Sequence, residues 1–236
     1  MIWIRSGIYN LWFVAATIAF GLFGAGVRLL APQHALWVAQ RWAQSLLAGA
    51  RIICGVHYEV TGREHLPSGP ALIASQHQSA FDTFVWLLLV PRVAYVYKAE
   101  LASIPLVGPL LRASGQIKLD RAAGFAAIKT LLRGAEHAVT DGRQIVIFPE
   151  GTRVEHGVEA PLRPGIAALA ARTGLPVIPV ATDSGRLWGR EAFLKRPGVV
   201  HIVIGPPIPP RQGQAALMVA LRQAWIDGIA TVSACG

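Results

Sequence analysis

Between Ser6 and Val27 the chain carries no charged side chain. A helix of roughly twenty residues reaches about 30 Å, the thickness of the hydrocarbon core of a bilayer. A cleaved signal sequence has an apolar region of only about 7–15 residues. The run is therefore expected to remain as a helix that either spans a membrane or lies in its interface. Gly21, Gly24 and Gly26 approach the spacing of a dinucleotide fingerprint. They follow no strand, so they are expected to serve close packing of a membrane helix. The next segment, Leu36 to Ile53, is apolar but interrupted by Arg41 and Arg51. It reads as an interfacial element or as the return arm of a helical hairpin. Residues 1–54 thus form a membrane-anchoring helical segment.

Charge sharpens this reading. The formal net charge is +9, yet no acidic residue occurs before Glu59. Arg5, Arg28, Arg41 and Arg51 punctuate the apolar N-terminal stretch, with Trp3, Trp12, Trp37 and Trp42 among them. Arginine and tryptophan flanking apolar runs mark a membrane interface, although a solvated basic face would look similar. A basic chain favours acidic partners, here a phospholipid surface or a phosphorylated substrate. Nucleic acid is not expected, since no zinc-ligand set, RNA-recognition motif or basic-region pattern is present. No metal site is expected either. Cys54 and Cys235 form no Cys-x-x-Cys pair and are expected as free thiols.

From Val56 onward short apolar runs alternate with helical patterns. Strands are expected at Val56–Val60, Ala71–Ser75, Val93–Tyr97, Gln116–Leu119, Gln144–Phe148, Val177–Ala181 and Val200–Ile204. Helices are expected at Ala80–Leu89, Ala122–Val139, Gly165–Arg172 and Ala215–Ile226. The second of these bears an apolar stripe at Phe125, Ile128, Leu131, Leu132, Ala135 and Val139. The alternation implies an α/β fold, a sheet of about seven strands flanked by helices, over residues 55–236.

Two segments carry chemistry. Gln76 to Thr83 follows a strand and opens a helix. With His77 in the turn and Asp82 in the first helical turn, the carboxylate can accept a proton from one imidazole nitrogen and leave the other free as a base. Ser79-x-x-Asp82 is equally a helix-capping pattern, which would make Asp82 structural. The second segment, Phe148 to Arg153, follows a buried strand. Gly151 allows a tight turn. Consecutive amides there can cradle an anion, Thr152 adds a hydroxyl, and Arg153 offers a planar fork to phosphate oxygens. A plain surface turn is the competing reading. No Walker sequence occurs.

These segments belong to an ordered set. His77-Gln-Ser-Ala-Phe-Asp82, Lys98 to Gly108, Gly115-Gln-Ile-Lys-Leu-Asp120-Arg121, Phe148 to Arg153 and Val177-Ile-Pro179-Val180 occur in that order. Together they resemble the glycerolipid acyltransferase family, and within it the 1-acyl-sn-glycerol-3-phosphate acyltransferases. The resemblance implies that His77 deprotonates an acceptor hydroxyl while Asp82 orients it. It implies a phosphate site of Arg153, Gly151, Thr152 and Glu150, with Lys98 and Arg121. It further implies an acyl-CoA or acyl carrier protein thioester as co-substrate, a lysophospholipid acceptor, no cofactor, and a location at the cytoplasmic face of the inner membrane. Gln76, Val154 and Arg163 depart from residues common in the family and bear on the acceptor. Glycerol-3-phosphate or a lyso-aminolipid as acceptor, a thioesterase, and a catalytically silent lipid-binding protein are the alternatives.

Overall fold

The computed structural model describes residues 1–105, 107–190, 192–210 and 213–234. The side chains of residues 121, 125, 233 and 234 also lie outside the described residues, as does Cys235. Helix α1 covers Ile2–Leu30, and α2 covers Ala35–Gly49, ending in a wide turn at Ala50–Cys54. There follow β1 (Val56–Thr61), β2 (Ala71–Ser75), α3 (Phe81–Leu89), β3 (Val93–Lys98), α4 (Val107–Ala113) and β4 (Ile117–Leu119). Then come α5 (Phe125–Thr140), β5 (Gln144–Ile147), α6 (Gly165–Thr173), β6 (Val177–Thr182), α7 (Ser184–Leu187), β7 (Gly198–Ile204) and α8 (Gln214–Ala234).

Among the described residues the strands form one seven-stranded sheet, ordered β1-β7-β6-β2-β5-β3-β4. The half from β6 to β4 is parallel, with Ile73 of β2 opposite both Val146 and Ile178. Strand β7 runs antiparallel to β6 and parallel to β1. Strands β2, β5 and β6 are buried at every position. Burial on both faces explains why they read as unbroken apolar runs. Alternate residues serve two cores. Ile73, Val146 and Ile178 join the core beneath α1, α2 and α3, and Leu72, Ile145 and Val177 the core beneath α5, α6 and α8.

Helix α1 is part of the first core. The Tyr9 ring is fully buried and meets Trp188 edge-on at 5.3 Å, while Phe13 lies 5.8 Å from Phe84. The buried Lys195 fastens the helix further. Its ammonium donates to Asn10 Oδ1 and to the Phe193 carbonyl, and sits over the Tyr9 and Trp188 rings. Its backbone N–H donates to Ser6 Oγ. Burial pushes the Lys195 ammonium below the usual lysine range. The opposite flank of α1 exposes Ile4, Ile8, Leu11, Val14, Ile18 and Leu22. By length and composition α1, like residues 214–232 of α8, could cross a membrane. Gly24 serves close packing, but against Leu110 of α4, where a Cβ would lie 2.7 Å from a methyl. A Cβ at Gly26 would meet nothing within 4 Å, so that glycine has no packing role.

The helix expected at Ala122–Val139 is interrupted. A short 3-10 turn at Arg121–Ala123 precedes Gly124, whose φ of +53° separates it from α5. The expected stripe holds in part: Leu131 and Ala135 are buried, with Leu132 and Val139 packed beside them, while Ile128 is exposed. Ala127 and Ala138 join the buried face. Small residues suit this face because α5 lies close to β4: a Cβ at Gly134 would stand 2.7 Å from Ile117.

Candidate active site

The parallel half of the sheet sends the ends of β2, β3, β4 and β5 to one edge, the position where α/β folds gather functional loops. Strand β2 delivers Gln76 and His77 there. His77 Nδ1 lies 3.3 Å from Asp82 Oδ2. The same oxygen accepts the Gln78 N–H at 2.7 Å and the Ser79 N–H at 2.8 Å. Ser79 Oγ in turn accepts the Phe81 N–H. The capping pattern and the His–Asp pair therefore coexist. The cap immobilises the carboxylate that faces the imidazole, so Asp82 is both structural and paired. An Nδ1 proton directed at Asp82 would leave Nε2 as the nitrogen able to accept a proton.

The β5 loop closes over this turn. The His77 ring stacks on Phe148 at 4.0 Å, and Phe148 stacks in turn toward Tyr95. The Tyr95 hydroxyl donates to the Thr83 carbonyl. Val154 N–H donates to the His77 carbonyl at 2.8 Å. His77 N–H donates to Glu150 Oε2 at 2.8 Å.

The residues assigned from the sequence to a phosphate site divide into separate places. Glu150 is buried, and its carboxyl turns inward to the His77 backbone. Burial, with Asp82 nearby, pushes that carboxyl up to about 8. A carboxyl so placed clamps the turn and does not hold phosphate. Gly151 adopts φ +74° and spends its N–H on the Phe148 carbonyl, so its amide closes the turn and leaves the anion cradle. Thr152 is exposed, and Arg153 is half-buried with Nη1 donating to the Arg190 carbonyl. Lys98 stands exposed at the end of β3, on the same edge. Asp120 caps the turn that follows β4, and the Arg121 side chain lies outside the described residues.

Sequence reasoning missed Gln78, and named Gln76 without seeing what it ties. Gln76 Oε1 accepts the Thr182 N–H, which makes its departure from the family pattern a tie to β6. Gln78 Oε1 accepts the Gly185 N–H. The available signal was that both amides flank a histidine at a strand end, where free backbone donors collect. A groove of about 1370 Å³ lies further along the sheet, between α8 and the exposed face of β1 and β7. It holds a second His–Asp pair, with His201 Nδ1 3.0 Å from Asp183 Oδ2.

Comparison with known proteins places the chain in a family. Residues 57–183 match the family model described as Acyltransferase. The chain is 33% identical over 205 residues to the 1-acyl-sn-glycerol-3-phosphate acyltransferase of Pseudomonas aeruginosa, covering 86% of this chain and 80% of that protein. It is 31% identical over 157 residues to the enzyme of the same name from Limnanthes alba, covering 65% of this chain and 55% of that protein. The chain thus spans about half the length of that plant relative. The crystal structure of the 1-acyl-sn-glycerophosphate (LPA) acyltransferase from Thermotoga maritima superposes with a TM-score of 0.80, covering 99% of this chain and 98% of that one, at 23% identity. The fold is shared over nearly the whole length of both. The family match and the Pseudomonas relative together show that the chain belongs to the acyltransferase family.

Proposed function

We propose that this acyltransferase moves a fatty acyl group from a thioester to the 2-hydroxyl of 1-acyl-sn-glycerol-3-phosphate, giving phosphatidic acid. The names of the relatives support the acceptor. The observation that carries the chemistry is the His77–Asp82 pair, held by its own cap at the strand edge where the Arg153 loop closes. In this reading His77 Nε2 takes the proton of the acceptor hydroxyl. The alkoxide oxygen attacks the thioester carbonyl, the C–S bond breaks, and the imidazolium returns the proton to the departing thiolate. Asp82 stabilises the imidazolium while it exists. Arg153, with Lys98, holds the acceptor phosphate through charge-assisted hydrogen bonds. The donor is acyl-CoA or acyl carrier protein, and no cofactor takes part.

The protein works on a membrane in this proposal, with the apolar outer flank of α1 seated in lipid at the cytoplasmic face. Support comes from Trp3, Trp12 and Trp37, which are exposed along the same helical pair. The test is purified protein with a labelled acyl donor and a panel of acceptors: lysophosphatidic acid, glycerol-3-phosphate, a lyso-aminolipid, and water alone. Product from lysophosphatidic acid is expected to dominate. A higher kcat/KM with an acceptor lacking phosphate would overturn the acceptor, and free fatty acid as main product would make the protein a thioesterase.

A further inference from the structure

Resting on that reading of the site, we propose that Gln78 is a positioning residue: its buried amide ties the His77 turn to Gly185 and His156 and so fixes the peptide N–H that it gives to Asp82. Gln78 is only 5% exposed, although it is polar. Its Oε1 accepts the Gly185 N–H at 3.0 Å and lies 3.3 Å from His156 Nδ1. Its own N–H reaches Asp82 Oδ2 at 2.7 Å, closer than the imidazole that shares this oxygen. The placement of the Gln78 peptide therefore decides how the carboxylate meets His77. A buried amide oxygen is not free to drift, because losing its donors leaves it unsatisfied.

The far end of this tie is rigid. Gly185 is the second residue of α7, directly after Ser184, whose N–H is held by Thr182 Oγ1. Asp183 beside it accepts both the N–H and the Nδ1 of His201, and pairs with Arg186 at 3.1 Å. Contact at Gly185 is close: a Cβ there would stand 2.9 Å from Gln78 Cβ, 3.0 Å from its Oε1 and 3.3 Å from His156 Cβ. An alanine at this position must push Gln78 aside. Residue 185 is thus a handle on the Asp82 oxygen from more than one hundred positions away in the chain.

The experiment uses full-length protein in detergent, with labelled donor and lysophosphatidic acid, for Gln78→Ala, Gln78→Glu and Gly185→Ala, each alone and combined with Asp82→Asn. Gln78→Ala and Gly185→Ala are expected to lower kcat about tenfold while both KM values stay within about twofold. Gln78→Glu keeps an acceptor for the Gly185 N–H and is expected to recover most of the loss. In the Asp82→Asn background the further loss is expected to vanish, because the alanine acts through the carboxylate. A general loss of structure predicts otherwise: multiplied losses in the double variants, in step with a lower melting temperature. That result, or wild-type kcat in Gln78→Ala, overturns the proposal. Should Gln78→Ala not fold, Gly185→Ala decides by the same criteria. His77→Ala serves as the separate control: activity retained there overturns the reading of the site itself.

Discussion

Among the described residues there are two His–Asp pairs of similar length, 3.3 Å at His77–Asp82 and 3.0 Å at His201–Asp183. Their surroundings differ. Asp82 is bonded by N–H groups of its own turn, and no cation pairs with it among the described residues. Its charge is left to act on the imidazole. Asp183 is already bonded to Arg186 and to the His201 backbone, so its charge is shared before the ring is considered. His77 is fixed between Phe148 and Asp82 at the edge where the β5 loop closes, whereas His201 lies within β7, in the groove beside α8. Proximity of a histidine and an aspartate is therefore a weak sign of chemistry. What separates the two is whether a cation already pairs with the carboxylate, and whether the ring is stacked in place.

Exchanging the histidines is the most direct way to break this contrast. His77→Ala is expected to lower kcat by about 10²–10⁴, the usual contribution of a positioned base. His201→Ala is expected to stay within about threefold of wild type. Asp82→Asn should follow His77→Ala, because an amide favours the wrong tautomer. Initial rates with a labelled donor, beside circular dichroism to confirm folding, measure all three. Equal losses at the two histidines would erase the distinction.

The loop beside His77 offers a smaller effect. Arg153→Ala is expected to lower acceptor kcat/KM about 10- to 150-fold, the equivalent of one charged hydrogen bond, and to leave the donor KM nearly unchanged. Arg153→Lys should recover part of this, keeping the charge but losing the planar fork. Steady-state kinetics with each substrate varied in turn separates these outcomes. Equal losses for donor and acceptor would assign Arg153 to stability.

Glu150 sharpens the comparison through pH. Its carboxyl gives up a proton near 4.5 in an ordinary setting and near 8 in the folded protein. Between those values unfolding releases a proton, so the folded state is favoured most below the lower value and loses that advantage as pH rises through the upper one. Glu150→Gln keeps an oxygen for the His77 N–H and removes the titration. Melting temperature followed from pH 5 to pH 9 should fall more steeply in the wild type than in the variant. Parallel curves would show that Glu150 does not titrate in this window. The smallest expected effect is at the cap: Ser79→Ala should cost about 1 kcal/mol, or roughly 2–4 °C in Tm for a chain of this size.

Much of the fold was legible because the central strands are buried on both faces. Ala71–Ser75 reads as a strand from its composition alone, and it is one. Ends were harder. Strand β5 stops at Ile147 because Phe148 is taken by the His77 ring, and no local pattern announces a partner 71 positions away. α8 runs to Ala234, eight residues beyond its expected end, because its later turns find β6 and β7, as where Gly228 lies against Ala181. The stripe on α5 was legible only in part for a related reason. Leu131 and Ala135 are buried as expected, but close approach to β4 also brought in Ala127 and Gly134 and left Ile128 exposed. The same limit governed the site. The Phe148–Arg153 loop does close over His77, but which of its residues turned inward depended on His77 being there to receive Glu150.

The grip on α1 has a consequence in time. Asn10 and Lys195 are separated by 185 positions. At a synthesis rate of about 5–20 residues per second, the helix emerges roughly 10–40 s before the lysine that will hold it. Throughout that interval Ser6 and Asn10 lack the partners that residues 193 and 195 supply, while Tyr9 and Thr17 can already meet α2 through the Leu46 carbonyl and Trp42. The lysine that completes the grip on α1 is thus made long after the helix it holds, so for this contact synthesis and assembly are widely separated in time.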